Sequence, residues 1–266
     1  MSIFGLRAHI NEEKNVTFQI LGWISFLVAW QIVAFVVNSN AIIPGPIAIV
    51  SSLPGLYSQD LLLKNLAFSL RLNLLAYVEA IAVALPIGFI LGLYTPIGAF
   101  LRGITDSIRY IPLTAVTGIF IAWFGIYFNM KLQFLSFGIF IYLLPIVIER
   151  VAEVEDVYVQ TAETLGASMW QTIRHVFLPA VLSRISASII IITAVSWTYI
   201  IVAEGVNNEG GIGSMIYRAQ RQSRLDKAFA CLFVIIVVGM LQDKIFTFID
   251  KKMWKYKYIQ QEGNKQ

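Results

Sequence analysis

Residues 161–179 read TAETLGASMWQTIRHVFLP, the longest polar interval between two strongly apolar runs of this chain. Gly166 interrupts a helical pattern, and Leu178-Pro179 follows on its far side. Proline is tolerated in the first turn of a helix, where its missing N–H has no partner to lose. Pro179 is therefore placed to open the next helix. Glycine adopts backbone conformations closed to other residues, so Gly166 is placed to turn the chain between two short helices. The stretch predicts a helix–turn–helix lying on a membrane face, with a spanning helix leaving it.

The rest of the chain supports a membrane setting. Of its 266 residues, 58% are hydrophobic, and the mean hydropathy is +0.72. Only 14% are charged, against roughly 25% in soluble domains. A soluble core has no room for that much apolar sequence, so the composition predicts an all-α polytopic membrane protein. The single cysteine, Cys231, lies in an apolar run; it excludes a disulfide within the chain and reads as a small buried hydrophobe. The net charge of +4 needs no nucleic acid, because excess Lys and Arg on one membrane face accounts for it. The polar start MSIFGLRAHINEEKN precedes an apolar run too long for a signal-peptide core, which predicts a retained first span.

A spanning helix needs about 20 mostly apolar residues. On that rule six spans are expected, near residues 18–37, 65–94, 107–124, 132–148, 180–203 and 228–249. Residues 38–60, broken by Pro44-Gly45-Pro46 and Pro54-Gly55, read as a loop, and 95–106 as a turn region. Gly88 and Gly92 have GxxxG spacing, which either permits close helix approach or reflects the ordinary abundance of glycine in membrane helices. The chain reads as one transmembrane domain over 1–266, with its core at about 64–252 and the polar loop at about 149–179. Six spans put both termini on one side. If that side is the cytoplasm, thirteen Lys and Arg face inward and seven outward, which favours cytoplasmic termini. The cluster Arg218–Lys227 works against that orientation.

The opening stretch resembles the cytoplasmic loop of ABC-importer permeases. That pattern is Glu-Ala-Ala, three residues, Gly, nine residues, Ile, one residue, Leu-Pro. Gly166, Val176, Leu178 and Pro179 fall at its spacing, with Val in place of Ile; Gln160 and Thr161 depart from it, and Ala162 matches. The segments LAFSLRLNLLAYVEAIAVALPIGFILGLY, RYIPLTAVTGIFIAWFGI with Lys131 soon after, and VAEGVNNEGGIGSMIYRAQ are similar to the nitrate/sulfonate/taurine/bicarbonate importer family in the same order, over about residues 40–255. The resemblance implies the type I importer transmembrane-domain fold. It also implies a pair of such subunits (a homodimer), two ATPase subunits below and a periplasmic or lipid-anchored solute-binding protein above, in a bacterial inner membrane. In that family the helix equivalent to Ala162, Glu163, Thr164 and Leu165 couples the permease to the ATPase. There Ala162, Leu165 and Ala167 would make the apolar contact and Glu163 a charged one, Gly166, Leu178 and Pro179 shape the loop, and Trp170 and Arg174, four residues apart, either buttress that helix or belong to an ordinary interfacial one.

The chemistry-bearing residues are sparse. ATP hydrolysis needs a Gly-rich loop ending in Gly-Lys to cradle the phosphates, and the chain has no Gly-Lys dipeptide; ATP and Mg are therefore expected on a partner ATPase, with no cofactor in this chain. Its two histidines, His9 and His175, are far apart, which gives little support to a metal or catalytic set. Glu149, Glu153, Glu155 and Asp156 read as a solvated helix face. Ionisable residues within a span are costly and so are functional candidates. Glu79 is expected to face a pore or to pair with an arginine. Arg109, ahead of Ile111-Pro112, is a partner for an anionic solute or snorkels to the interface. Ser196, Trp197, Thr198 and Tyr199 either line a pathway or bond helices together. Arg218, Arg221 and Arg224, three apart on one face, suit an acidic binding protein or lipid phosphate. The expected function is transport of a small anion by alternating access. The competing classes are an ion-coupled secondary transporter, which needs its own ion site and usually an inverted repeat, and a membrane enzyme, which needs a convergent catalytic set.

Overall fold

The computed structural model describes residues 12–37 and 42–258. Arg7, His9 and Lys265 lie outside the described residues. Helices dominate the described residues, and five among them are long and apolar enough to cross a membrane. The chain forms two compact units, one from the chain up to Leu62 with Ile216–Phe233, the other from Leu63–Met215 with Val234 onward.

The first unit holds α1 (Glu12–Val37), α2 (Pro46–Ser58) and the Ile216–Phe233 segment. Only 6% of the most apolar window of α1 is buried, and Trp23 and Phe35 point outward, as suits a helix facing lipid. The expected loop at 38–60 instead contains α2, because Pro46 occupies its first turn, where proline costs nothing. Gly45 lets α2 start against α1: a Cβ there would lie 2.7 Å from Gln31 Oε1, which accepts the Ile47 N–H at 3.2 Å. Lys227 pairs with Asp60 at 2.6 Å.

The second unit is built around α6 (Phe128–Ala152), half of whose most apolar window is buried. Against it pack α3 (Leu62–Leu93), α5 (Leu113–Phe124) and α9 (Leu178–Gly205). Leu113, Phe120, Met130, Phe134, Ile141 and Ala203 form a core shared by α5, α6 and α9. The GxxxG pair sets the contact of α3 with α6: a Cβ on Gly92 would lie 2.6 Å from Val151 Cβ, and one on Gly88 would meet Val147. Near mid-span a buried polar set crosses three helices. Asn73 Nδ2 donates to Ser196 Oγ at 3.0 Å, and Trp197 Nε1 to Gln242 Oε1 at 2.9 Å, the latter on α11 (Leu225–Met253). In a bilayer such groups have no water to turn to, so the bonds fix how the helices pack.

Three expectations need correction here. Residues 95–106 are not a turn but most of α4 (Thr95–Ser107), with Pro96 in its first turn. The third span is not one helix: α4 continues through a 3₁₀ turn at Ile108–Tyr110, and α5 leaves at 100°. Pro112 has no N–H to continue the helix, and it drives Ile111 to extended backbone. The fifth span begins earlier than residue 180, since α8 (Met169–Thr172) runs through a π turn at Ile173–Phe177 directly into α9. Pro179 sits in the first turn of α9, but no loop precedes it. The widened turn, in which the Leu178 N–H reaches the Ile173 carbonyl, accommodates the donor that proline lacks.

Candidate functional site

The stretch 161–179 forms an elbow. α7 (Asp156–Thr164) carries Ala162, Glu163 and Thr164 and ends at Leu165. Gly166 has φ +78°, a left-handed turn natural to glycine, and the Gly166 and Ala167 N–H groups close onto the Glu163 and Ala162 carbonyls. Ser168 then opens α8 with a capping box, its hydroxyl accepting the Gln171 N–H while Gln171 Oε1 accepts the Ser168 N–H at 2.7 Å. The turn is thus held by its own bonds. Its tip presents large apolar side chains: Leu165 is 82% exposed, Met169 59% and Trp170 68%. Arg174 is also exposed. Apolar groups gathered on an otherwise polar projection mark a protein–protein or membrane interaction surface.

The elbow is anchored to the bundle on both sides. Arg150 Nη1 holds Glu153 Oε1 at 2.5 Å, and Arg184 Nη1 from α9 donates to the Glu153 carbonyl at 2.8 Å. Asp250, at the end of α11, accepts from Ser186 Oγ, from Tyr258 OH and from Lys257 Nζ, the last at 3.1 Å. Lys257 also donates to the Ser183 carbonyl at 3.0 Å. These bonds fold the chain after Met253 back onto the start of α9. There Tyr256 joins Tyr158, Ala162, Leu165 and Pro179 around a groove of about 590 Å³.

The opposite end of this unit holds a cluster of buried polar groups that sequence reasoning passed over. Glu204 lies in the last turn of α9 and is fully buried. Its Oε1 accepts from Ser69 Oγ at 2.6 Å, and its Oε2 accepts the Gly213 N–H at 2.7 Å. Ser69 Oγ accepts the Ile212 N–H at 2.9 Å, and Asn65 Oδ1 the Gly211 N–H at 3.0 Å. These are the orphan donors that open α10 (Ile212–Arg221). The helix is therefore capped by side chains from α3 and α9. Lys131, just ahead of the span expected at 132–148, lies in the first turn of α6 and is fully buried. An apolar run that stops at a single carboxylate, and a lysine just inside a span, were the available signals.

The remaining candidates are dispersed. Glu79 does not meet an arginine: it accepts from Gln133 Nε2 at 2.6 Å and Ser136 Oγ at 3.0 Å, both on α6. Arg109 sits at the break between α4 and α5, with its guanidinium 5.5 Å from the centre of the Tyr110 ring. It lines a cavity of about 710 Å³ with Arg102, Asp106, Tyr142 and Glu149. Ser196 and Trp197 are buried in the inter-helix bonds. Thr198 is exposed, and with Trp197, Gly239, Asp243 and Lys244 it lines a cavity of about 500 Å³. The Tyr199 hydroxyl lies 3.1 Å from that of Tyr142. Arg218 and Arg221 are exposed on the last turns of α10, but Arg224 does not share their face. Ser223 at φ +57° reverses the chain, and Arg224 binds Asp226 at 2.7 Å instead. Among the described residues, no three or more His, Cys, Asp or Glu side chains are grouped to hold a metal ion.

Comparison with known proteins places this architecture. Residues 84–255 match the family model described as binding-protein-dependent transport system inner membrane component. A putative ABC transporter permease of Methanocaldococcus jannaschii is 27% identical over 87% of this chain and 88% of its own. The putative aliphatic sulfonates transport permease of Bacillus subtilis is 28% identical over 86% and 83%. The taurine transport system permease of Escherichia coli is 27% identical over 80% and 79%. A solved chain of the MetNI methionine ABC transporter in inward-facing conformations superposes with a TM-score of 0.60 at 17% identity, over 73% of this chain and 97% of that one, which supports the same fold. The chain belongs to the family of binding-protein-dependent transport system inner membrane components, the permease subunits of ABC importers.

Proposed function

We propose that this permease forms, with a second copy of itself, the passage for a small oxyanion of the nitrate, sulfonate, taurine or bicarbonate kind. Two separate ATPase chains, which hold ATP and Mg, drive it, and a solute-binding protein delivers the anion; this chain itself carries out no covalent chemistry. The substrate class rests on the relatives named for sulfonates, taurine, nitrate and bicarbonate.

The observation that carries the coupling is the elbow. A short helix stopped by Gly166 offers Leu165, Met169 and Trp170 to a partner. It is small enough to seat in a groove and is braced by the Arg150–Glu153–Arg184 bonds. A push on it is passed to α6 and α9, which begin or end at that brace, and alternating access follows from their tilt. In this orientation the elbow and both termini are cytoplasmic, while α10 lies on the outer face, where Arg218 and Arg221 meet the binding protein.

The test is a mild-detergent pull-down of tagged wild type and of a Glu163→Arg, Leu165→Asp double variant, followed by an ATPase assay. Wild type brings down a nucleotide-hydrolysing chain and the variant loses it. Equal recovery with both, or none with either, contradicts the reading.

A further inference from the structure

We propose that Lys131 is the seat of a small oxyanion at the α10 end of the bundle, and that Glu209 is a built-in counter-anion which the oxyanion displaces. The Lys131 side chain is fully buried in a spanning helix. A buried ammonium is costly unless it is both paired and hydrogen-bonded. Lys131 is paired but not hydrogen-bonded. Its Nζ lies 3.4 Å from Glu209 Oε2, yet it makes no hydrogen bond, so its three donors are unused. Its other neighbour is the ring of Phe68, with its centre 5.1 Å from Nζ.

The two carboxylates of this region are held very differently. Glu204 has both oxygens committed to Ser69 and Gly213 and is fully buried. Glu209 is 31% exposed and lies on the turn between α9 and α10. It is followed by Gly210 at φ +152° and Gly211 at φ +100°, positions whose backbone can change without side-chain penalty. Glu209 is the exchangeable partner, because water can solvate it when it leaves Lys131.

A second cation stands close by. The Arg71 guanidinium lies 5.3 Å from the centre of the Phe128 ring, which packs edge-on to Phe68 at 5.6 Å. Lys131 and Arg71 thus flank one aromatic pair, and both favour negative charge there. Glu209, tethered to the backbone, leaves the ammonium protons of Lys131 without a hydrogen bond, whereas a free oxyanion is able to turn its oxygens onto them. Exchange of Glu209 for such an anion would release the Glu209 side chain, while the bonds of Asn65, Ser69 and Glu204 keep the start of α10 in place. The proposal rests on the importer reading only for the source of the anion.

The experiment uses the purified permease in detergent. Its thermal midpoint is titrated with methanesulfonate, nitrate and bicarbonate at constant ionic strength, with chloride as the monatomic control. Removing the internal competitor with Glu209→Gln lowers the half-maximal concentration of at least one oxyanion by about tenfold, and Lys131→Gln abolishes the response. An unchanged concentration in Glu209→Gln overturns the proposal. So does a response that survives Lys131→Gln. If Lys131→Gln does not fold, the Glu209→Gln titration decides alone. Recovery of the ATPase chain is scored on the same preparations. A missing oxyanion response with the ATPase present sinks the anion seat alone, and a present response without the ATPase sinks the proposed ATPase coupling alone.

Discussion

Ser69 and Glu204, 135 residues apart, meet across 2.6 Å in the interior of the bundle. The hydroxyl of one helix and the carboxylate of another together hold the first turn of a third, since Ser69 also receives the Ile212 N–H and Glu204 the Gly213 N–H. Glu204→Ala leaves the Gly213 N–H and the Ser69 hydroxyl proton without their acceptor. Each buried group left unsatisfied costs about 1–3 kcal/mol, so the variant unfolds several degrees earlier in detergent. Ser69→Ala, which keeps the carboxylate bond to Gly213, shows a smaller loss. Equal midpoints for wild type and Glu204→Ala would count against the cap.

Gly213 has no room for a side chain, because a Cβ would lie 2.8 Å from Ile201 Cα and 2.9 Å from its carbonyl oxygen. Backbone on the facing helix does not yield cheaply, so Gly213→Ala costs about 1–3 kcal/mol. Gly103, where nothing lies within 4 Å of the same atom, is the control. Gly103→Ala is neutral or gains up to about 1 kcal/mol of helix propensity. Thermal melts of the two variants side by side check the contrast.

The contact of α3 with α6 is testable by compensation. Gly92→Ala drives a methyl into Val151 and destabilises, whereas the double variant Gly92→Ala, Val151→Ala recovers most of the loss. A coupling of about 0.5–3 kcal/mol is expected for residues in direct contact. Strict additivity of the two single changes would place the glycine elsewhere than at this contact.

Tyr258 lies beyond the last span, and its hydrogen bond to the Asp250 carboxylate pushes its pKa up to about 12. A raised pKa means that the bond stabilises fully below the ordinary value of 10.0 and is lost as pH climbs towards 12. The clasp of the tail onto α9 is therefore constant across neutral pH. In a spectrophotometric titration the late-ionising fraction of the tyrosines falls by one residue in Asp250→Asn. Trypsin should also cut at Lys255 and Lys257 faster in that variant.

The spans and the elbow were legible because they rest on local rules. Long apolar runs need only be counted, and Gly166 marks a turn whatever surrounds it. The breaks at 95–124 were harder to read, since Pro96 and Pro112 do opposite things. One sits in a first turn and the other ends a helix, and only the neighbouring backbone decides which. The polar cluster at the α10 end was missed for another reason. Ser69, Lys131 and Glu204 are far apart in the chain, and no spacing rule brings them together. Arg224 shows the same limit: a spacing of three implies a shared face only while the helix lasts, and Ser223 ends it.

The most direct measurement of the central claim is thiol cross-linking at the elbow. Leu165→Cys is placed in a Cys231→Ala background, which removes this chain's only native thiol, and membranes are labelled with a maleimide carrying a photoreactive benzophenone, which links to any neighbouring C–H bond on illumination. The account predicts an adduct with the ATPase chain, identified by mass spectrometry, whose yield changes when ATP and vanadate are added. Trp123→Cys, exposed on α5, gives no such adduct. Equal adducts from the two positions, or none from Leu165→Cys while the ATPase is present in the membranes, would contradict it.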